Sequence, residues 1–278
     1  MAIFIQIIVY ASLILYIAAS VLYFAGYRSE KNGMLKAASA IAIVGCIINF
    51  LALIIRTILS GRLPLSSGYE FILSFAFLTS LLYLIFEWKN KAKNAGGIVM
   101  IIAALLILAV IIIAGGQLDE VSPLMPALKS PWLTVHVLTA ALAYASFALA
   151  AGLAIIQIRK IKQGNTAQDS KIYRVVAIGF MLLSFSIILG AIWAEQAWGA
   201  YWTWDPKEVW ALVTWIIYAI YLHLHRRKTW RGARACWMVI AGFIIVLFTF
   251  FGVNFLFSGM HSYADSIDPL FHMNEQFL

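Results

Sequence analysis

Charged side chains are scarce in this chain. Only 12% of its residues are Asp, Glu, Lys or Arg, against about 25% in soluble domains, and no stretch of ordinary composition is long enough to build a water-soluble domain. Cysteine is nearly absent as well. Cys46 and Cys236 lie far apart, each in or beside an apolar run, which excludes a C-x-x-C redox pair and a disulfide framework; any thiol chemistry has to come from a partner. Acidic residues number 12 against 20 basic ones, leaving a formal net charge of +8. That excess does not point to nucleic acid, because the basic residues stand in short clusters between apolar runs, as membrane topology signals do. No internal repeat, low-complexity tract or linker interrupts the pattern.

What is present in quantity is apolar surface: 63% of residues are hydrophobic and the mean hydropathy is +0.91. Apolar stretches of about 20 residues, long enough to cross about 30 Å of hydrocarbon as helix, run at roughly 3–26, 36–60, 69–88, 97–115, 131–158, 173–195, 206–225 and 235–258. The first starts at Ala2 with no basic leader and is too long for a cleaved signal peptide, so it reads as a retained span. The expected fold is therefore all-α, a polytopic integral membrane bundle of eight transmembrane helices forming one domain over residues 1–278.

Sixteen of the twenty basic residues fall in alternate loops: Arg28 to Lys36, Lys89 to Lys93, Arg159 to Arg174, and Arg226 to Arg234. By the positive-inside rule those loops are cytoplasmic. Both termini, a tryptophan-rich loop at 196–208 and a tail at 259–278 are then extracytoplasmic. Helix starts agree. Ser130-Pro131 reads as N-cap and N1 of the fifth span, Asp205-Pro206-Lys207-Glu208 opens the seventh with capping-box spacing, and Ser67 with Glu70 repeats that spacing at the third.

Five histidines offer metal-ligating or acid-base chemistry. His136 lies five residues past Pro131, roughly 8 Å into its helix at 1.5 Å per residue, and His261 follows Gly259 beyond the eighth span, so both reach the outer surface. His223 is seventeen residues past Pro206 and belongs to a deeper layer near the cytoplasmic end. Each is a ligand candidate, although an interfacial histidine also serves as a hydrogen-bonding or snorkelling group. His225 abuts "RRK" and His272 sits in the tail; both read as solvated.

The stretch "WGAYWTWDPKE", residues 198–208, gathers Trp198, Trp202 and Trp204 within seven residues. Isolated tryptophans such as Trp88, Trp132 or Trp230 are ordinary interfacial anchors, but this cluster exceeds what an anchor needs. Several indoles at the water boundary make a flat apolar platform for a large planar ligand whose polar edge stays wet. Porphyrin has that shape, and its iron leaves two axial positions that His136 and His261 could fill. Arg56, just inside the outer end of the second span, is a candidate partner for a haem propionate, with pairing to Glu70 an equal alternative.

These residues resemble the haem-handling "WWD" proteins, and among them the CcsA (ResC) subunits of the System II cytochrome c synthase. The resemblance rests on "WAEQAWGAYWTWDPKEVWALVTWIIYAIYLH", whose P-K-E continuation is typical of CcsA and usually differs in the related CcmC and CcmF proteins. It rests also on "GRLPLSSGYE" and on the histidine contexts "SPWLTVHV" and "FGVNFLFSGMHSYA", and it runs from about residue 50 to 265. It implies that Trp198, Gly199, Trp202, Trp204 and Asp205 form a haem-binding loop, that His136 and His261 are axial ligands, and that His223 belongs to a deeper haem site completed by a partner subunit.

The function so implied is cytochrome c biogenesis. The protein would bind haem b, move it across the membrane and present it for covalent attachment to apocytochrome c C-x-x-C-H motifs. It would act as the unfused subunit of a haem lyase complex with a CcsB (ResB)-type membrane partner, with a separate thioredoxin-like protein keeping thiols reduced. The setting would be a bacterial cytoplasmic membrane or a thylakoid. The alternative is a haem carrier or exporter of CcmC type without synthase activity, and a generic transporter with tryptophan anchors is a third reading.

Overall fold

A computed structural model of the chain describes residues 2–114, 118, 121, 126–161 and 169–257. The long helices are α1 (Ala2–Arg28), α2 (Asn32–Ser60), α3 (Gly68–Asn90), α4 (Gly96–Ala114), α5 (Pro131–Ile161), α6 (Asp169–Trp198), α7 (Pro206–His225) and α8 (Ala233–Leu247). With α8 counted through its continuation to Gly252, eight helices are long and apolar enough to cross a membrane, as the hydropathy pattern predicts. The tail at 259–278, with His261 and His272, lies outside the described residues.

Local chemistry sets the boundaries. Gly61, at φ 64°, ends α2 in the left-handed region, which costs glycine nothing. Ser67 and Glu70 form the capping box of α3, and Asp205 and Glu208 that of α7, with Pro206 at N1. Two boundaries depart from expectation. α6 runs on to Trp198, so that the first indole of the loop is still helical. The eighth span is not one regular helix either: after Leu247 it passes through a π turn, Phe248–Gly252, into a last α-helical turn, Val253–Leu256.

α5 is the pivot of the bundle. It packs on α3, α6 and α8, while α1 to α4 pack mainly on one another and α7 lies against α6 and α8. Over its most apolar window α5 is 83% buried, against 22% for α6 and 28% for α7. Its alanine-rich buried face, including Ala141, Ala145, Ala148 and Ala151, lets neighbouring backbones approach closely, as small residues do in membrane interfaces. The outer faces of α6 and α7 carry exposed Ile178, Phe185, Ile188, Ile216 and Ile220, which in a bilayer meet lipid.

Among the described residues, two paired clusters of buried charge stand at opposite ends. At the end with the basic loops, Glu87 accepts hydrogen bonds from Tyr23 Oη at 2.6 Å and Ser39 Oγ at 2.5 Å, with Lys93 Nζ at 3.6 Å. At the other end Glu70, fully buried, lies between two guanidinium groups: Arg56 Nε is 2.8 Å from Oε1 and Arg62 Nη1 is 2.9 Å from Oε2. Such pairing is what allows ions inside an apolar slab.

Candidate functional site

A cavity of about 540 Å³ opens at the Arg56–Glu70 end, where the starts of α3, α5 and α7 meet the end of α6 and the π turn after α8. Its wall is mostly apolar, with Phe71, Leu133, Tyr144, Ile187, Trp193 and Trp198 among the lining residues, and a few polar groups are set into it. That size and that mixture are typical of small-molecule sites, in which a few placed polar groups orient an otherwise apolar ligand.

His136 stands in this wall, one and a half turns into α5. Its Nδ1 is 2.7 Å from the carbonyl oxygen of Ser186 on α6. A carbonyl can only accept, so Nδ1 carries the proton and donates. In the neutral ring Nε2 is then the atom with the lone pair. A ring fixed in this way by a backbone carbonyl is the common arrangement for a metal-ligating histidine. Ser186 Oγ adds a contact at 3.2 Å to Nδ1 and donates to the His136 carbonyl at 3.2 Å. One turn further along α6, Gly190 makes room for the ring: a Cβ there would lie 2.7 Å from both Cε1 and Nδ1 of His136. The imidazole lies nearly parallel to the indole of Trp193, 13° between planes and 6.4 Å between centroids.

The tryptophan loop continues from that stack. Trp193 meets Trp198 edge-on at 4.9 Å and donates from Nε1 to the Ala127 carbonyl at 2.9 Å. Gly199 then takes φ 78°, with its N–H returned to the Glu195 carbonyl at 2.8 Å, and the helix stops. Trp202 lines the cavity and Trp204 packs edge-on to it at 5.7 Å. Trp204 is itself 71% exposed, at φ 60°, and is not among the described cavity-lining residues. The loop is held from inside by Glu208, which accepts from Thr203 N at 2.8 Å and Asp205 N at 3.2 Å. Asp205 is buried and caps α7, accepting from Lys207 N at 2.9 Å.

The residues expected at the site therefore separate. His136, Trp198 and Trp202 line one cavity; Gly199 and Asp205 shape the loop from beside it; Trp204 faces outward. Arg56 is not among the lining residues. Its guanidinium is taken by Glu70 and by the Leu118 carbonyl, at 2.8 and 3.2 Å, which is the structural alternative the sequence left open. Glu70 in turn accepts from Ser66 N and Ser67 N at 3.0 and 3.2 Å, and so fixes the short segment whose Leu65, Ser66 and Ser67 form one edge of the cavity.

At the opposite end, His223 is exposed on α7 and is not among the described residues that line the cavity. His225, expected to be solvated beside its basic neighbours, is buried instead. Its ring lies 4.9 Å from Tyr173 and 5.5 Å from Tyr221, because the helix turns its 225 position inward against α6. Sequence reasoning passed over Ser186, Gly190, Trp193, Lys207 and Asn254, all of which line the cavity. Only Gly190 carried a local signal, an isolated glycine in an otherwise apolar helix.

The family described as "Cytochrome C assembly protein" matches residues 65–261, an interval that contains every described residue of the cavity wall. Among curated proteins the chain is similar to the cytochrome c biogenesis protein CcsA of Guillardia theta, 35% identical over 253 residues, covering 80% of this chain and 83% of that one. The CcsA of Chlamydomonas reinhardtii is 35% identical over 227 residues, 77% of this chain and 64% of that one. That of Synechococcus sp. (strain CC9902) is 30% identical over 294 residues, 91% and 94% of the two chains. Among solved structures, the cytochrome c heme lyase CcmF shares the fold with a TM-score of 0.70 at 19% identity, over 95% of this chain. The present chain spans about half of that protein, 48% of its length.

Proposed function

This chain belongs to the cytochrome c assembly protein family, and we propose that its cavity binds haem b as cargo and that the tryptophan loop presents it to apocytochrome c. The observation that carries this reading is the His136 imidazole, held by Nδ1–H donation to the Ser186 carbonyl in the wall of a 540 Å³ apolar cavity rimmed by indoles. A single imidazole in such a wall suits an iron that brings four nitrogen ligands of its own. The second axial ligand in this reading is His261.

The geometry supports a division of labour in this reading. Ser186 and Gly190 hold the imidazole; Trp193, Trp198 and Trp202 give the macrocycle an apolar surface to lie on. Glu208 keeps the loop in shape through its hydrogen bonds to Thr203 and Asp205. Trp204 offers an indole to whatever arrives from outside, here the apocytochrome. The haem supplies two vinyl groups: each cysteine S–H of a C-x-x-C-H segment adds across one C=C, both atoms are retained in the thioether, and no oxidant is consumed. The chain contributes placement more than acid-base chemistry.

Two elements point to company. His223 stands exposed on α7, so a haem site there needs its other half from a second membrane subunit of CcsB (ResB) type. The thiols of the apocytochrome need a separate thioredoxin-like reductant, since Cys46 and Cys236 are both buried and distant in sequence. The cavity end is assigned to the extracytoplasmic side of a bacterial cytoplasmic or thylakoid membrane.

Co-expression with such a partner and an apocytochrome, in a host without other maturation systems, tests the reading. Covalent haem in the cytochrome, lost with His136→Ala, is the expected result. Bound haem in the purified chain without covalent product would make it a carrier instead, and no Soret band at all would remove haem from the account.

A further inference from the structure

We propose that Lys207 and Asn254 form the carboxylate-binding end of the cavity and hold a propionate side chain of the porphyrin. This rests on the haem reading above and adds the orientation of the cargo within the site. Haem is amphiphilic, and its two propionates are concentrated on one edge, so a site that turns the molecule one way needs a cation or N–H donors at one place in an otherwise apolar wall. Arg56 and Arg62 do not meet that need: both are engaged by Glu70, and neither is among the described residues of the wall. Lys207 is the only Lys or Arg among the described residues that line the cavity.

A second, separate observation lies in the same wall. Asn254 lines the same cavity, and its side-chain oxygen is buried with no hydrogen-bond partner among the described residues. A buried polar atom left unsatisfied costs free energy; the oxygen itself would need a donor, and with the amide turned by half a rotation about χ2 its N–H₂ stands in that place and donates to a carboxylate. The two residues belong to one level of the bundle. α7 and the eighth span run antiparallel, with Trp210 against Phe248 at 4.5 Å and the Thr214 and Thr249 hydroxyls 3.1 Å apart. The chain beyond the π turn therefore climbs to the first turn of α7, where Lys207 sits, and Val253–Leu256 contacts that helix. The start of α7 also points its helix dipole toward this end, a modest further attraction for an anion. Glu208 lines the cavity too, but its carboxylate is occupied by the Thr203 and Asp205 N–H groups at 2.8 and 3.2 Å.

The test compares haem with its dimethyl ester, which keeps iron, ring and vinyl groups but has no carboxylates. With the full chain purified in detergent, wild-type protein is expected to bind haem about tenfold more tightly than the ester by Soret titration, the worth of one charge-assisted contact. Lys207→Gln is expected to remove that preference while leaving the ester's affinity unchanged, and Lys207→Arg to keep it. Equal affinity of wild-type protein for both porphyrins, or a parallel loss of both in Lys207→Gln, would overturn the assignment while the haem reading stands. Uptake of neither porphyrin by wild-type protein would remove the haem reading and this inference together.

Discussion

Gly190 lies against the His136 imidazole so closely that one added methyl group does not fit: its β-carbon would stand 2.7 Å from two ring atoms. Helix propensity alone favours Gly→Ala by about 1 kcal/mol, so α6 is not at risk, and the ring is what has to move. Gly190→Ala is expected to displace the imidazole from the Ser186 carbonyl and to weaken haem binding by about 10- to 100-fold, the usual scale for losing a group that orients a metal ligand. Haem titration of the purified variant beside its thermal unfolding reads both effects. Wild-type affinity would mean that the ring does not need its present place.

His136→Ala is expected to abolish cytochrome maturation in the reconstituted system, with free imidazole restoring part of it by occupying the vacated space. The same holds for His261→Ala. The assay is covalent haem on the apocytochrome, and full maturation by either variant without imidazole would strike that residue from the ligand set.

Glu70→Gln strips the shared counter-charge from Arg56 and Arg62 at a carboxylate that is fully buried. Breaking a buried ion pair from one side costs about 3–5 kcal/mol, so a marked fall in unfolding temperature in detergent is expected, with most of it recovered when Arg56→Met is added. Were Arg56 committed to the cargo, Glu70→Gln would leave the empty protein's stability where it was.

Trp204 keeps a left-handed backbone, φ 60°, which costs a bulky residue about 1 kcal/mol or more. Trp204→Gly is therefore expected to preserve or raise stability and to leave haem affinity intact, because the indole faces outward, yet to depress maturation. A loss of haem affinity in step with maturation would place this indole on the cargo instead of on the incoming protein.

The eight spans and their starts were legible because their causes are local: hydropathy over about 20 residues, a Ser or Asp cap, a Glu three positions on. The tryptophan loop was legible from its density of indoles. The cavity's own chemistry was less so. Ser186 and Gly190 lie about fifty residues from His136 and matter only because α6 crosses α5 there. Arg56 stood out as a charge in an apolar run, but its partner Glu70 lies fourteen residues on, beyond the end of its helix, and the pairing is seen only in the distances. His225 was misjudged from the basic residues after it, since sequence neighbours do not say which way a helix position faces. The π turn left no trace in hydropathy, although it brings Thr249 and Phe250 to the cavity wall.

The parallel rings of His136 and Trp193 give the molecule an optical property as well. With haem held by that imidazole, as proposed, an indole whose ring centroid is 6.4 Å away would transfer its excitation to the porphyrin rather than emit. Of the ten tryptophans of the chain, Trp193, Trp198 and Trp202 line the cavity and would go dark on loading, so that ultraviolet-excited fluorescence would follow filling and unloading in intact membranes without any attached dye.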